Sequence, residues 1–361
     1  MLGIDTGKFK LHCTLRDPQT GVIRWNKEIP NTEAAISQLL TEIPSDISVV
    51  IEPTGRYSNL TVELAKSTGR TVLIAPTLNA KYYLNSLQSR AKNDKIDSKG
   101  LSEYGRTQKL RDYPIKDKAL DTIDQLLSAR KGISETCSKL KLTASELPEA
   151  NKILQVSISS LKADLKDLDK LIAEKAAAEP KLAIMKEFLK VPGIGSVTAT
   201  AVASRLAGKC FNHPDQFVAY IGLDIRIIQS GTRKGNRGLT CQGDAELRRL
   251  LYCCAQASLR AKNSPFKVQY LREIAKGLPT TAALCAVSRK MAKLCWSLHH
   301  HAAVYDVNRL YKSPNVSKAK GSVELQTESS APAPTETGSS DPVSKAGKIR
   351  RNRTRNICVI R

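Results

Sequence analysis

The sequence has no run of about 18 uncharged apolar residues, which is the length that a transmembrane helix requires. Its start, MLGIDTGK, runs directly into a strand-like pattern, so we expect neither a membrane span nor a signal peptide. It also has no Cys-x-x-Cys pair, although nine cysteines are scattered through its 361 residues. These absences predict a cytosolic protein with reduced, mostly structural thiols.

Acidic residues are scarce: 34 Asp and Glu stand against 57 Lys and Arg, which gives a formal net charge of +23. The excess of positive charge is distributed unevenly along the chain. Segment 1–115 carries +4, segment 116–180 carries zero, segment 181–312 carries +14 and segment 313–361 carries +5. Since segment 181–312 has three basic residues for each acidic one, it predicts a domain that binds nucleic acid.

Short apolar runs alternate with helical patterns at the start of the chain. Strand-like runs at 1–15 and 22–29 predict a hairpin, and later strands at 47–51 and 71–75 are linked by predicted helices. This order predicts a mixed α/β sheet in a domain that covers 1–115. The segment 313–361 lacks apolar periodicity and is predicted to be a disordered basic tail, either a dispensable extension or an auxiliary nucleic-acid contact.

The segment 116–180 predicts two helices, at 117–146 and 151–178, because Pro148 interrupts the helical pattern. The second helix carries a heptad seam, which requires a partner helix. The seam consists of Leu154, Ile158, Leu161, Leu165, Leu168 and Ile172. The partner belongs either to the same chain, as a helical hairpin, or to a second subunit, as a coiled coil. Zero net charge argues against this segment being the main DNA contact, so oligomerisation is favoured.

Four carboxylates stand at notable positions. Asp5 lies inside the first predicted strand, Glu52 ends a later one, and Asp94 and Asp97 share one face of a predicted helix. Clustered carboxylates repel one another unless a cation such as Mg²⁺ or Mn²⁺ lies between them, and such ions stabilise the attacking and leaving oxygens of a phosphodiester. A single carboxylate is more simply a helix cap or a surface charge. The ordered set is typical of a nuclease of the ribonuclease H type.

Three segments carry a resemblance to a known family: Gly3-Ile4-Asp5, Ile51-Glu52-Pro53-Thr54-Gly55-Arg56-Tyr57 and Lys92-Asn93-Asp94-Lys95-Ile96-Asp97. They resemble the Asp-Glu-Asp-Asp motifs of the IS-one-ten family of insertion-sequence transposases, whose catalytic domain is similar to that of Holliday-junction resolvases. The resemblance continues at 191–195, 217–223, 229–231 and 247–251, and covers about residues 1–310. The chain departs from the family at Asn93, where threonine is usual, and at Asp224, where proline is frequent.

The resemblance implies that Ser230 is a nucleophile which forms a covalent phosphoserine link to DNA, whereas a serine before glycine is otherwise a turn residue. A serine hydroxyl is a weak nucleophile, so Ser230 has to meet the carboxylates in its own or another subunit. Nucleic-acid contacts are predicted in a helix-hairpin-helix signature at 191–195, in the basic loop after Ser230, and at the family motif 247–251. The predicted contact residues are Gly193, Gly195, Arg233, Lys234, Arg237, Arg248 and Arg249.

The sequence therefore predicts a DNA transposase or site-specific recombinase with a metal-dependent carboxylate site and a serine nucleophile. The resemblance implies a structured noncoding guide RNA, held largely through its phosphates. We expect a dimer or tetramer in the prokaryotic cytoplasm, associated with the nucleoid. The alternatives are a junction-resolvase-like nuclease without a covalent step, a DNA invertase, and a noncatalytic nucleic-acid scaffold.

Overall fold

The computed structural model describes residues 1–53, 55–86, 94–115, 117–226, 229–230, 233–234, 238–261 and 264–308. The predicted tail at 313–361 and the predicted contact residue Arg237 lie outside these ranges. The chain divides into two compact units, Met1–Lys116 and Asp117–Arg361.

The first unit contains a six-stranded sheet in the order β3-β2-β1-β4-β5-β6. The strands are β1 (Leu2–Thr6), β2 (Lys10–Arg16), β3 (Ile23–Pro30), β4 (Val49–Ile51), β5 (Val72–Ile74) and β6 (Arg111–Asp112). Strands β1, β2 and β3 are antiparallel neighbours, whereas β1, β4 and β5 run parallel to one another. The predicted mixed α/β sheet is therefore confirmed.

Four helices cover the two faces of this sheet. They are α1 (Glu33–Glu42), α2 (Asn59–Ser67), α3 (Thr77–Ser86) and α4 (Asp94–Thr107), with a 3-10 turn at Gly55–Ser58. Because strand side chains alternate between faces, Val49 and Ile51 pack towards α1 and α2 while Val50 packs towards α3 and α4. All three are fully buried, which explains the uninterrupted apolar run in the sequence.

A buried arginine ties helix α1 to the start of β5. The guanidinium of Arg70 donates from Nη2 to the carbonyl oxygens of Leu40 and Ile43, at 2.7 Å and 2.8 Å. These carbonyls end helix α1 and have no partner within the helix. Arg70 is 7 % exposed, so its positive charge is stabilised by the carbonyl dipoles rather than by solvent.

The second unit begins with two long helices, α5 (Lys118–Glu146) and α6 (Asn151–Ala178), joined by a 3-10 turn at Pro148–Ala150. Their bounds agree with the predicted ones to within one residue. Ile158 of the heptad seam packs against Cys137 and Ala144 of α5, and Ile172 packs into the main core of the unit. Helix α5 of the same chain therefore partners these seam residues, as the helical-hairpin alternative predicts.

The remaining described helices of this unit are α7 (Met185–Phe188), α8 (Ser196–Gly208), α9 (Pro214–Ile221), α10 (Ala245–Ser258), α11 (Pro265–Ala275) and α12 (Thr280–His300). The only described strands there are β7 (Gln229–Ser230) and β8 (Arg233–Lys234). Fully buried Phe188, Phe217, Phe266 and Met291 pack in one core with residues of α5 and α6. Among the residues described, no helix is both long and apolar enough to cross a membrane.

Candidate active site and nucleic-acid contacts

Asp5 and Glu52 occupy neighbouring positions at one edge of the sheet. Strands β1 and β4 are parallel, and Ile4 pairs with Ile51. Asp5 follows Ile4 within β1, and Glu52 follows Ile51 directly after β4 ends. Both side chains are partly exposed. The register therefore brings two carboxylates, 47 positions apart in sequence, to the carboxyl ends of adjacent strands.

Helix α4 crosses directly over β1. A Cβ atom on Gly3 would lie 2.4 Å from the backbone nitrogen of Ser102 and 2.6 Å from the carbonyl oxygen of Ser98, so only glycine permits this approach. Further along α4, a Cβ on Gly105 would lie 3.2 Å from the side chain of Met1. The helix therefore runs antiparallel to β1, and its first turn points towards the end of β1 that carries Asp5.

That first turn contains Asp94 and Asp97. Asp94 begins α4, and Asp97 immediately precedes Ser98, the residue that packs over Gly3. Because Gly3 and Asp5 are two residues apart in a strand, they share the face that α4 covers. The backbone thus brings the first turn of α4 to the same face and end of β1 as Asp5. The side chain of Asp94 lies outside the described atoms.

Buried hydrogen bonds hold α4 on this face. The hydroxyls of Thr14 and Ser98 are 2.9 Å apart, and both residues are fully buried. Arg16 donates from Nε to the hydroxyl of Ser102 at 3.1 Å, and its Nη1 is 3.2 Å from Oε2 of Glu103. A hydrogen bond from the neighbouring Arg106, helped by Arg16, lowers the pKa of Glu103. The helix position is thus fixed by β2 as well as by Gly3.

The oxygen-only donor set of the four carboxylates suits a hard divalent cation. The side chains of Asp5, Glu52 and Asp97 are described, and no group of three or more His, Cys, Asp or Glu among the described side chains could hold a metal ion. The side chain of Asp94, in the same helix turn as Asp97, lies outside the described atoms. The donor chemistry of these oxygens fits Mg²⁺ or Mn²⁺.

Ser230 lies in a small antiparallel hairpin of the second unit. Gln229 pairs with Lys234 and Ser230 pairs with Arg233, so β7 and β8 face each other. The base of this hairpin is held by a hydrogen bond from the backbone nitrogen of Arg226 to the carbonyl oxygen of Gly238, at 2.8 Å. The side chains of β7 and β8 lie outside the described atoms, so the predicted roles of Ser230, Arg233 and Lys234 stay predictions.

Comparison with known proteins matches two parts of the chain. A family model described as a transposase, of the DEDD type and named for IS110, matches residues 2–147. A second, described as the transposase IS116/IS110/IS902 family, matches residues 185–271. The chain belongs to the IS110 family of transposases.

A curated relative of the same kind is the transposase for insertion sequence element IS1328 from Yersinia enterocolitica. It is 30 % identical over 125 residues, which are 33 % of this chain and 37 % of that protein. The matched region thus spans little more than a third of the relative's length. The two IS110-family matches include Asp5, Glu52, Asp94 and Asp97 in the first and Ser230 in the second.

In this IS110-family chain, the two glycines of the predicted helix-hairpin-helix signature have different surroundings. Gly193 has a φ of +91°, and a Cβ there would lie 2.4 Å from the carbonyl oxygen of Cys254 and 2.8 Å from the nitrogen of Ser258. Gly193 therefore allows the turn to pack against α10. Gly195 is exposed, has open space around its Cα, and precedes the first residue of α8. Of the two predicted phosphate contacts, Gly195 has the more accessible backbone.

The two adjacent arginines on α10 also differ. Arg248 is 4 % exposed and donates from Nη1 to the carbonyl oxygen of Ile221 at 2.7 Å. Its guanidinium is enclosed by the protein and holds the end of α9, so the described structure gives Arg248 a structural role, and its predicted phosphate contact stays a prediction. Arg249 has a side chain 40 % exposed and pairs with Glu246 at 2.6 Å. Arg249 is accessible to a phosphate that competes with this ion pair.

Two further polar residues, which the sequence did not predict at the site, continue the row of Asp5 across the sheet. His12 pairs with Asp5 in the register of β1 and β2, and Glu28 pairs with His12 in the register of β2 and β3. The Nε2 atom of His12 is 3.4 Å from Oε2 of Glu28. The alternation of polar and apolar residues along β2 is the signal that indicates them, because it assigns His12 to the polar face.

Proposed function

We propose that this chain is the transposase of an insertion sequence, which cuts and rejoins DNA strands. The observation that carries the proposal is the pairing of Ile4 with Ile51, which sets Asp5 and Glu52 side by side at the strand ends. The direction of α4, with Asp97 in its first turn, adds support. We infer in addition that the sheet unit is a ribonuclease H-like, resolvase-like catalytic domain covering 1–115. We place the helical hairpin at residues 116–180 and the basic domain at residues 181–312.

The four residues Asp5, Glu52, Asp94 and Asp97 would hold the divalent cation. A bound Mg²⁺ or Mn²⁺ supplies positive charge that offsets the charge developing on the phosphate oxygens. By holding that cation at the sheet edge, the carboxylates would fix where the scissile phosphodiester binds, and the described side chains of Asp5 and Glu52 are partly exposed to an incoming strand.

In the strand-cutting step, the Oγ atom of Ser230 attacks the phosphorus of one phosphodiester. The Ser230 hydroxyl gives up its proton, a Ser–O–P bond forms, and the bond from phosphorus to the sugar oxygen of the adjoining nucleotide breaks. That oxygen takes a proton and leaves as a hydroxyl. Attack by a hydroxyl of another strand reverses these steps, joins the new strands and restores the serine.

A covalent-adduct assay tests this step. A radiolabelled DNA that carries the sequences flanking the gene is incubated with Mg²⁺ and with natively purified protein, which keeps its bound nucleic acid, and the mixture is then denatured and separated by size. We expect a protein–DNA adduct with the wild type and with Ser138→Ala, which changes an exposed serine on α5. Ser230→Ala should give no adduct.

Substitution also separates the rival functions. A nuclease without a covalent step predicts that Ser230→Ala still cuts DNA. Asp5→Asn should abolish both cutting and joining because it removes a carboxylate at the strand end. Unchanged activity in Asp5→Asn would contradict the metal-site proposal, whereas a wild-type protein that neither cuts nor joins DNA would favour a noncatalytic scaffold.

The basic domain is proposed to bind DNA and a structured noncoding guide RNA. The net charge of +14 over residues 181–312 supports polyanion binding, and exposed Gly195 and Arg249 are the described candidates for phosphate contacts. Native purification followed by sequencing of copurified nucleic acid tests the guide. A discrete RNA encoded beside the gene supports it, whereas random host RNA contradicts it.

We also propose a dimer or tetramer that acts on DNA in the prokaryotic cytoplasm, at the nucleoid. The end of the α5–α6 hairpin supports oligomerisation, because Ile153 and Val156 there are 75 % and 73 % exposed. Sedimentation equilibrium measures the subunit count. A monomer at micromolar concentration, with and without nucleic acid, contradicts the proposal.

A further inference from the structure

Asn31 stands at the same sheet edge as Asp5 and Glu52. Strand β3 runs in the direction of β1, because both are antiparallel to β2, and β4 is parallel to β1. The carboxyl ends of all three strands therefore lie at one edge. Asn31 is the first residue after β3, just as Glu52 is the first residue after β4.

The side-chain amide of Asn31 joins the two chain segments that follow the carboxylates. Its Nδ2 donates to the carbonyl oxygen of Gly7 at 2.9 Å and to that of Tyr57 at 3.1 Å. Gly7 lies two residues after Asp5, and Tyr57 lies five residues after Glu52. The backbone nitrogen of Asn31 also donates to the carbonyl oxygen of Phe9 at 2.9 Å, so the β1–β2 turn is held at two points.

Asparagine is well suited to bond two backbone carbonyl oxygens at once. Two carbonyl oxygens require two N–H donors on one short side chain, which asparagine has and aspartate lacks. Serine offers a single donor. The Oδ1 atom of Asn31 is buried and accepts no hydrogen bond from the residues described, so the described side-chain contacts are made by the donor end.

We propose that Asn31 is a positioning residue, which fixes the distance between the Asp5 and Glu52 segments so that both carboxylates converge on one divalent cation. This inference rests on the proposed function. Asn31 acts through the backbone of the two loops and supplies no ligand. Residues that orient metal ligands affect cation affinity even though they do not touch the cation.

The structure offers a matched control at the opposite edge of the sheet. Asp17 accepts hydrogen bonds at 3.0 Å from the backbone nitrogens of Gln19 and Thr20, in the turn between β2 and β3. Like Asn31, Asp17 holds a turn of the sheet through side-chain to backbone hydrogen bonds. Unlike Asn31, it lies away from the carboxyl ends of β1 and β4, so its loss should affect stability without affecting the cation.

The test is a Mn²⁺ titration of the full-length protein, in which the electron paramagnetic resonance signal of free Mn²⁺ measures binding. Thermal melting verifies that each variant is folded. Relative to wild type, Asn31→Ala should weaken Mn²⁺ binding by roughly 10- to 100-fold. Asn31→Ser, which keeps one donor, should give a smaller loss and also serves if the alanine variant does not fold. Asp17→Ala should bind Mn²⁺ as the wild type does.

The outcomes separate the positioning role from the proposed function. If Asp5→Asn abolishes Mn²⁺ binding while Asn31→Ala and Asn31→Ser do not change it, the positioning role is wrong and the carboxylate site stands. Equal losses in Asn31→Ala and Asp17→Ala reflect general destabilisation and also overturn the positioning role. If the wild type binds no Mn²⁺, or Asp5→Asn binds it as well as wild type, both inferences are overturned.

Discussion

Replacing Gly3 with alanine should damage both stability and activity. The new Cβ atom would lie 2.4 Å from the backbone nitrogen of Ser102. Non-bonded heavy atoms are normally about 3.5 Å apart, so α4 has to move away from β1 by about 1 Å. The atoms in the way belong to the backbone of α4, so no side-chain rotation relieves the clash.

Two magnitudes follow from this displacement. Overpacking of a well-packed core costs about 1–3 kcal/mol of unfolding free energy. A shift of about 1 Å in the helix that carries Asp97 should lower the cleavage rate by about 100-fold. Urea denaturation measures the first quantity, and the DNA cleavage assay measures the second at saturating substrate.

Gly132→Ala is the matched control, because a Cβ at this exposed position on α5 meets no atom within 4 Å. Alanine is the better helix former, so this variant should gain about 0.5–1 kcal/mol and keep full activity. If Gly3→Ala matches the wild type in both assays, the close contact between α4 and β1 is refuted, and with it the position assigned to Asp97.

Three further predictions concern other sites. Arg248→Ala should lower the unfolding free energy by about 1–3 kcal/mol because it leaves a buried carbonyl unpaired. Arg249→Ala should change the unfolding free energy by less than about 0.5 kcal/mol. It should also weaken the salt-sensitive binding of the protein to DNA. Arg70→Met should cost about 2–4 kcal/mol in urea denaturation, since it uncaps the end of α1; wild-type stability would contradict the capping role. Burial raises the pKa of Cys13 to about 12 from an ordinary value of 9.0. The unfolded chain loses this proton first, so stability should fall as pH rises from 9 towards 12, and Cys13→Ala should flatten that decline in pH-dependent denaturation.

Much of the architecture was predictable because it depends on local pattern. The bounds of α5 and α6 follow from helical periodicity and from Pro148, and the mixed sheet of the first unit follows from alternating strands and helices. The positions of Asp5 and Glu52 at strand ends follow from the same pattern.

Other features depend on contacts between distant residues. The heptad seam indicates that α6 needs a partner, but only packing identifies that partner as α5 of the same chain. Arg248 and Arg249 are adjacent and chemically identical in the sequence. Their roles differ because successive residues on a helix point about 100° apart, so one side chain enters the core and the other reaches solvent.

By itself, the sequence determined the mixed sheet, the helical hairpin and the location of the positive charge, because side-chain periodicity and composition are local properties. Tertiary structure alone decided that Ile4 pairs with Ile51 and that the backbone of α4 packs directly against Gly3. It also decided that Asn31 bonds to the segments after Asp5 and Glu52. Each of these is a contact between segments far apart in the chain. Register, close approach and shared hydrogen bonds arise only when those segments meet.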